Sequence, residues 1–131
     1  MSERTMSIIA YIADDTPADL DILQYILNRE FPNWQIESFR TAEDLLERTR
    51  VQEPDIVITD LYFGNVLMSG DRLSRELKKM FPNIRIIVWT AAEVYREDLP
   101  DADAVISKGG LHLTDDLKKV IFQLLGGDQN K

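Results

Sequence analysis

Ser7-Ile8-Ile9-Ala10-Tyr11-Ile12-Ala13-Asp14-Asp15-Thr16-Pro17-Ala18-Asp19 changes character twice in a short space. The apolar run Ser7 to Ala13 reads as a buried strand and stops at Asp14-Asp15. A helix start follows, with Thr16 as N-cap, Pro17 at the first helical position and Asp19 in the first turn. Leu20, Leu23, Ile26 and Leu27 then recur at helical spacing until Phe31-Pro32-Asn33 closes the element. A strand that ends on carboxylates and feeds a helix is half of a βαβ unit.

The same alternation continues along the chain. Trp34 to Phe39 reads as a second strand, and Thr41-Ala42-Glu43-Asp44 opens a helix with Leu45 and Leu46 inward and Glu53-Pro54 as its stop. Ile56 to Asp60 is a third strand, again ending on an aspartate. A loop from Leu61 to Ser69 leads into a helix over Gly70 to Phe81, with Leu73, Leu77 and Met80 in register. Ile84 to Trp89 is a fourth strand ending on Thr90. After the acidic stretch Ala91 to Asp103, the short strand Ala104 to Ser107 ends on Lys108. The last helix runs from Thr114 to about Leu125, with Leu117, Val120, Ile121, Leu124 and Leu125 as its stripe. The pattern is (βα)5, an α/β chain. Its strands are apolar rather than alternating, which predicts a parallel sheet covered on both faces.

Composition narrows the function. The chain has 131 residues, no cysteine, one histidine (His112), and 23 acidic residues against 15 Lys plus Arg, for a net charge of −8. Disulfides, thiol nucleophiles and thiolate or His-rich metal sites are excluded. An acidic surface repels phosphate backbones, so direct nucleic-acid binding by this segment is not expected. No apolar run is long enough to span a bilayer, and Met1 to Ser7 lacks the apolar stretch of a signal peptide. A cytoplasmic domain over residues 1–125 is the expectation. Residues 126–131 are glycine-rich and polar, either a tail or the start of a linker to a domain absent here.

In open parallel sheets the ligand sits outside the carboxyl ends of the strands. Those ends carry Asp14-Asp15, Asp60, Thr90 and Lys108. Crowded carboxylates repel, and a hard divalent cation such as Mg2+ relieves the repulsion. A carboxylate facing the open metal position can attack phosphorus and form an acyl phosphate. A lysine ammonium and a threonine hydroxyl suit the new phosphoryl oxygens. Each piece has a plainer reading: a turn for Asp14-Asp15, a loop cap for Asp60, a helix cap for Thr90, a solvated surface group for Lys108. Their shared place at the ends of strands 1, 3, 4 and 5 favours one site.

The order Asp14-Asp15, Asp60, Thr90-Ala91, Lys108 resembles the receiver domain of two-component response regulators, over Ser7 to Leu125. The resemblance implies a flavodoxin-like sheet of strand order 2-1-3-4-5, with Asp60 as phosphoacceptor for a histidine kinase or histidine phosphotransfer protein. It implies that Asp15 binds Mg2+ directly and Asp14 through water, with the Tyr62 backbone carbonyl as a further ligand. Thr90, the Ala91 backbone and Lys108 would contact the phosphoryl group. The protein would be a signalling switch that catalyses only its own phosphorylation and dephosphorylation. It would act on a downstream protein or on an output domain not contained here.

The chain departs from that family in four places. Gly109 follows Lys108 where proline is usual; a cis bond without proline costs about 3 kcal/mol, so a trans bond or local strain is expected. Val105 stands where many receivers carry an aromatic switch residue. The segment between Thr90 and Lys108 is short and holds Pro100 and, from Glu97 to Asp103, four acidic residues (Glu97, Asp98, Asp101, Asp103), which predicts a fourth helix of one or two turns, or an unwound one. The loop after Asp60 is slightly long and carries Tyr62, Phe63, Val66, Leu67 and Met68, either tucked onto the sheet edge or forming a docking patch. The Tyr62 ring is placed to shield an acyl phosphate from water. Trp89 is expected in the core and His112 at the surface. Two other readings remain: a phosphorylation-independent protein-interaction module on the same fold, and a Mg2+-dependent phosphohydrolase. The latter lacks a second acid next to Asp60 and a cap over the site.

Overall fold

The computed structural model describes residues 7–64 and 68–126. Strands β1 (Ile9–Ala13), β2 (Gln35–Phe39), β3 (Ile56–Thr59), β4 (Arg85–Thr90) and β5 (Ala104–Ser107) alternate with helices α1 (Pro17–Glu30), α2 (Ala42–Thr49), α3 (Gly70–Met80) and α4 (Leu113–Leu125). All strand pairs are parallel, in the order β2-β1-β3-β4-β5. The fold is flavodoxin-like, as the strand pattern and the resemblance imply.

Successive side chains of a strand point to opposite faces, and apolar strands can therefore serve two cores. Ala10, Ile12, Ile56, Ile58, Ile87, Trp89 and Ile106 meet Leu20, Leu23 and Leu27 of α1 and Leu117 and Ile121 of α4. On the other face, Tyr11, Ala13, Val57 and Ile86 meet Leu45 and Leu46 of α2 and Leu73 and Leu77 of α3. Each fully buried Leu or Ile contributes roughly 1.5–3 kcal/mol. The stripes thus fix the helix faces, while the helical crossovers keep the strands parallel.

Where a fourth helix would lie, the chain makes only a 3-10 turn over Arg96–Asp98. Leu99 precedes Pro100, whose ring disfavours helical backbone before it, and Leu99 sits at φ −127°, ψ 76°. The segment still covers the sheet. Leu99 and Ala102 bury against Val88 and Leu61, with Val94 and Val105 packed around them. Asp103 pins the start of β5: its carboxylate accepts from the Ile86 amide at 2.8 Å and from Lys78 Nζ at 2.9 Å.

Several boundaries differ from the sequence reading. β1 starts at Ile9, not Ser7, and α4 starts at Leu113. Thr16 holds the N-cap position of α1 but its hydroxyl caps nothing; instead Asp14 Oδ1 accepts the Thr16 amide at 3.0 Å and turns the chain. Met80 ends α3 exposed rather than inward, because α3 buries Leu73, Ser74 and Leu77 and Met80 lies past that stripe. Residues 127–131 of the expected tail, and Val66 and Leu67 of the expected docking patch, lie outside the described residues.

Candidate functional site

Parallel pairing brings the carboxyl ends of β1, β3, β4 and β5 to one edge and ties them there. The Asp60 amide donates to the Ala13 carbonyl at 3.0 Å, and the Lys108 amide to the Thr90 carbonyl at 2.9 Å. Asp14, Asp60, Thr90 and Lys108 follow or close their strands, so their side chains leave the sheet together.

Lys108 is the hub. Its Nζ donates to Asp14 Oδ2 at 2.7 Å, Asp19 Oδ2 at 2.8 Å and Asp60 Oδ2 at 3.0 Å. It also lies 4.9 Å from the centroid of the Trp89 ring, close enough for a cation–π contact. Burial works against the ammonium, but the hydrogen bonds to the three aspartates outweigh it and hold its pKa above the usual lysine value. Asp14 is only 1% exposed, and this burial raises its carboxyl above the ordinary aspartate value despite the lysine and the Thr16 amide. Asp60 is 9% exposed, and its second oxygen accepts the Leu61 amide at 2.7 Å.

Asp14, Asp15 and Asp60 each offer a carboxylate oxygen, and these oxygens lie within 4.8 Å of one another. An all-oxygen, carboxylate-rich donor set of this size fits Mg2+. Asp15 reaches across to the loop after β3, where its Oδ2 accepts the Gly64 amide in a short bond of 2.5 Å. The Asp15 carbonyl is held by Arg40, whose Nη2 donates at 3.1 Å.

The remaining expected residues lie nearby but play different local parts. Thr90 is buried, and its hydroxyl accepts the Ala92 amide at 3.2 Å; it caps no helix, since the 3-10 turn that follows starts at Arg96 with Tyr95 at its N-cap. Ala91 is exposed beside it. The Tyr62 ring is 59% exposed, whereas Phe63 is buried and Met68 packs against the α2–α3 core, so that much of the loop tucks onto the sheet. Trp89 is buried and His112 is exposed at the start of α4, both as expected. Among the described residues no peptide bond is cis, so the Lys108–Gly109 bond is trans.

Four contributors escaped the sequence reading: Asp19, Arg40, Gly64 and Gly70. In the sequence Asp19 stands out only as a first-turn acid of α1. The available signal was that this turn begins at the same sheet edge as Asp14-Asp15. Gly70 opens α3 against the strand that precedes it, and a β-carbon there would collide with the Asp60 carbonyl.

The response regulator receiver domain family matches residues 10–114. The chain belongs to that family. Among solved structures it is similar to the response regulator TrrA of Thermotoga maritima in complex with Mg2+-BeF, at 27% identity and a TM-score of 0.78, over 89% of this chain and 98% of that one. It is similar to a CheY-like receiver domain protein of Methanospirillum hungatei at 25% identity and a TM-score of 0.78, over 96% and 100% of the two chains. RcsB of Salmonella enterica, bound to a promoter in the presence of the phosphomimetic BeF3−, shares 26% identity at a TM-score of 0.77, over 93% of this chain and 62% of that one. No curated protein sequence is a significant match. Among the described residues, no helix is long and apolar enough to cross a membrane.

Proposed function

We propose that this domain is a phosphorylation-controlled signalling switch in which Asp60 accepts a phosphoryl group from a histidine kinase or histidine phosphotransfer protein. The observation that carries the reading is the Lys108 ammonium seated 3.0 Å from Asp60 Oδ2, beside the carboxylates of Asp14 and Asp15. An Asp60 oxygen forms the new bond to phosphorus, and the bond from phosphorus to the donor nitrogen or oxygen breaks. Lys108 neutralises charge on the transferred oxygens, while the Thr90 hydroxyl and the Ala91 amide bind them. Asp14, Asp15, Asp60 and the Tyr62 carbonyl would hold Mg2+, which when bound would supply charge neutralisation for the phosphoryl oxygens. The ring of Tyr62 screens the acyl phosphate. The chain turns over no external substrate and acts in the cytoplasm on a downstream protein or output domain.

A second reading, a partner-controlled interaction module, is favoured by one observation: a 3-10 turn stands where the fourth helix would be. Intact mass after incubation with acetyl phosphate separates the two. The switch forms one phosphoryl adduct that requires Mg2+ and is absent from Asp60→Ala. A native protein that takes no adduct overturns the switch reading.

A further inference from the structure

Resting on that phosphoacceptor reading, we propose that Asp19 is a positioning residue that competes with the phosphoryl group for Lys108 and so limits how readily Asp60 is phosphorylated. An ammonium has three donors, and here they are divided among Asp14, Asp19 and Asp60. Two of these acceptors belong to the carboxylate cluster suited to a cation; Asp19 does not. When Asp60 takes a phosphoryl group, the N–H that Lys108 gave to its carboxylate must pass to a phosphoryl oxygen. A cation in the cluster draws charge from Asp14 and loosens its hold on the ammonium. Nothing comparable relieves Asp19.

Asp19 stands in the first turn of α1, next to the buried Leu20 and one turn before the buried Leu23, so its position is rigid. Its carboxylate is the most exposed of the three, at 29%. It therefore acts in two ways: it keeps Lys108 turned toward α1, and it adds a negative charge beside the path of an anionic donor. Asp19 thus throttles phosphorylation without contacting the reacting atoms.

The test follows the rate of adduct formation with acetyl phosphate in Mg2+, where an Asp60 oxygen bonds to phosphorus and acetate leaves with the electron pair of the broken P–O bond. At donor concentrations below saturation, Asp19→Asn is expected to react about fivefold faster, through a lower KM for the donor. Asp19→Glu, which restores the charge, should react like the native protein. Asp21→Asn removes an exposed charge from the same helix and should leave the rate unchanged. In the metal-free protein, the 15Nζ resonance of Lys108 should be visible natively and in Asp21→Asn, and should broaden by rapid exchange in Asp19→Asn. A rate for Asp19→Asn at or below native, an equal gain in Asp21→Asn, or an unmoved Lys108 resonance overturns the inference alone. A native protein with no Asp60-dependent adduct overturns the phosphoacceptor reading itself.

Discussion

Gly70 packs so closely on Asp60 that a β-carbon at position 70 would meet the Asp60 carbonyl oxygen. The approach is fixed from both sides, because the Gly70 amide donates to the Leu61 carbonyl at 2.8 Å and Gly70 is the first residue of α3. No unusual backbone angle is involved; the constraint is contact. Gly70→Ala gains up to about 1 kcal/mol of helix propensity, but overpacking against backbone costs roughly 1–3 kcal/mol. The net expectation is a loss of stability in urea unfolding, together with slower adduct formation as the Asp60 loop is pushed aside. An equally stable variant with native kinetics would show that the loop yields freely.

Lys108 serves stability as well as chemistry. In Lys108→Met the volume is nearly kept, but Asp14 and Asp60 lose their cationic partner while remaining buried. A buried group left unsatisfied costs roughly 1–3 kcal/mol. The metal-free variant should be less stable than the native protein by that order at neutral pH. Added Mg2+ should recover more stability in the variant than in the native protein, because the ion then relieves a carboxylate cluster with no ammonium in it. Equal gains from Mg2+ in both proteins would mean the ammonium and the metal site are independent.

The parallel sheet could be read because short apolar strands alternate with amphipathic helices, and in the structure Ala10 and Ile12 serve one core while Tyr11 and Ala13 serve the other. The strand order rests on the resemblance, not on the apolar pattern. The failing fourth helix was also legible, since Pro100 and its acidic neighbours are local signals. Asp14, Asp60 and Lys108 could be grouped because strand ends in a parallel sheet share an edge. Asp19, Arg40 and Gly64 could not, since their contacts depend on how a first helical turn, a loop and a long side chain are oriented in three dimensions. Thr16 misled for a related reason. The residue type favours capping and Thr16 does hold the N-cap position, but its hydroxyl donates to Asp15 Oδ1 at 3.5 Å and accepts no amide of the first turn.

Tyr62 gives a kinetic prediction. Its ring is largely exposed two residues past Asp60, leaving it free to swing over a newly formed acyl phosphate. Tyr62→Ala should shorten the phosphoryl lifetime at saturating Mg2+, measured as decay of the adduct mass after the donor is removed. An unchanged lifetime would remove the ring from any shielding part.

Glu30 offers a pH test away from the site. It ends α1 and pairs with Arg29 at 2.9 Å and with Lys118 of α4 at 3.2 Å. The hydrogen bond from Arg29, then that from Lys118, lowers its pKa below the ordinary glutamate value. A carboxyl with a lowered folded-state pKa contributes stability that is present above its unfolded value and lost as pH falls through the folded one. The contribution is small because the pair is solvated and screened. A 13C titration of the Glu30 side chain should give a midpoint below that of a free glutamate. Lys118→Ala should move that midpoint up only part of the way, with Arg29 still in place. A native midpoint at the ordinary glutamate value would mean that the α1–α4 ion pair does not persist in solution.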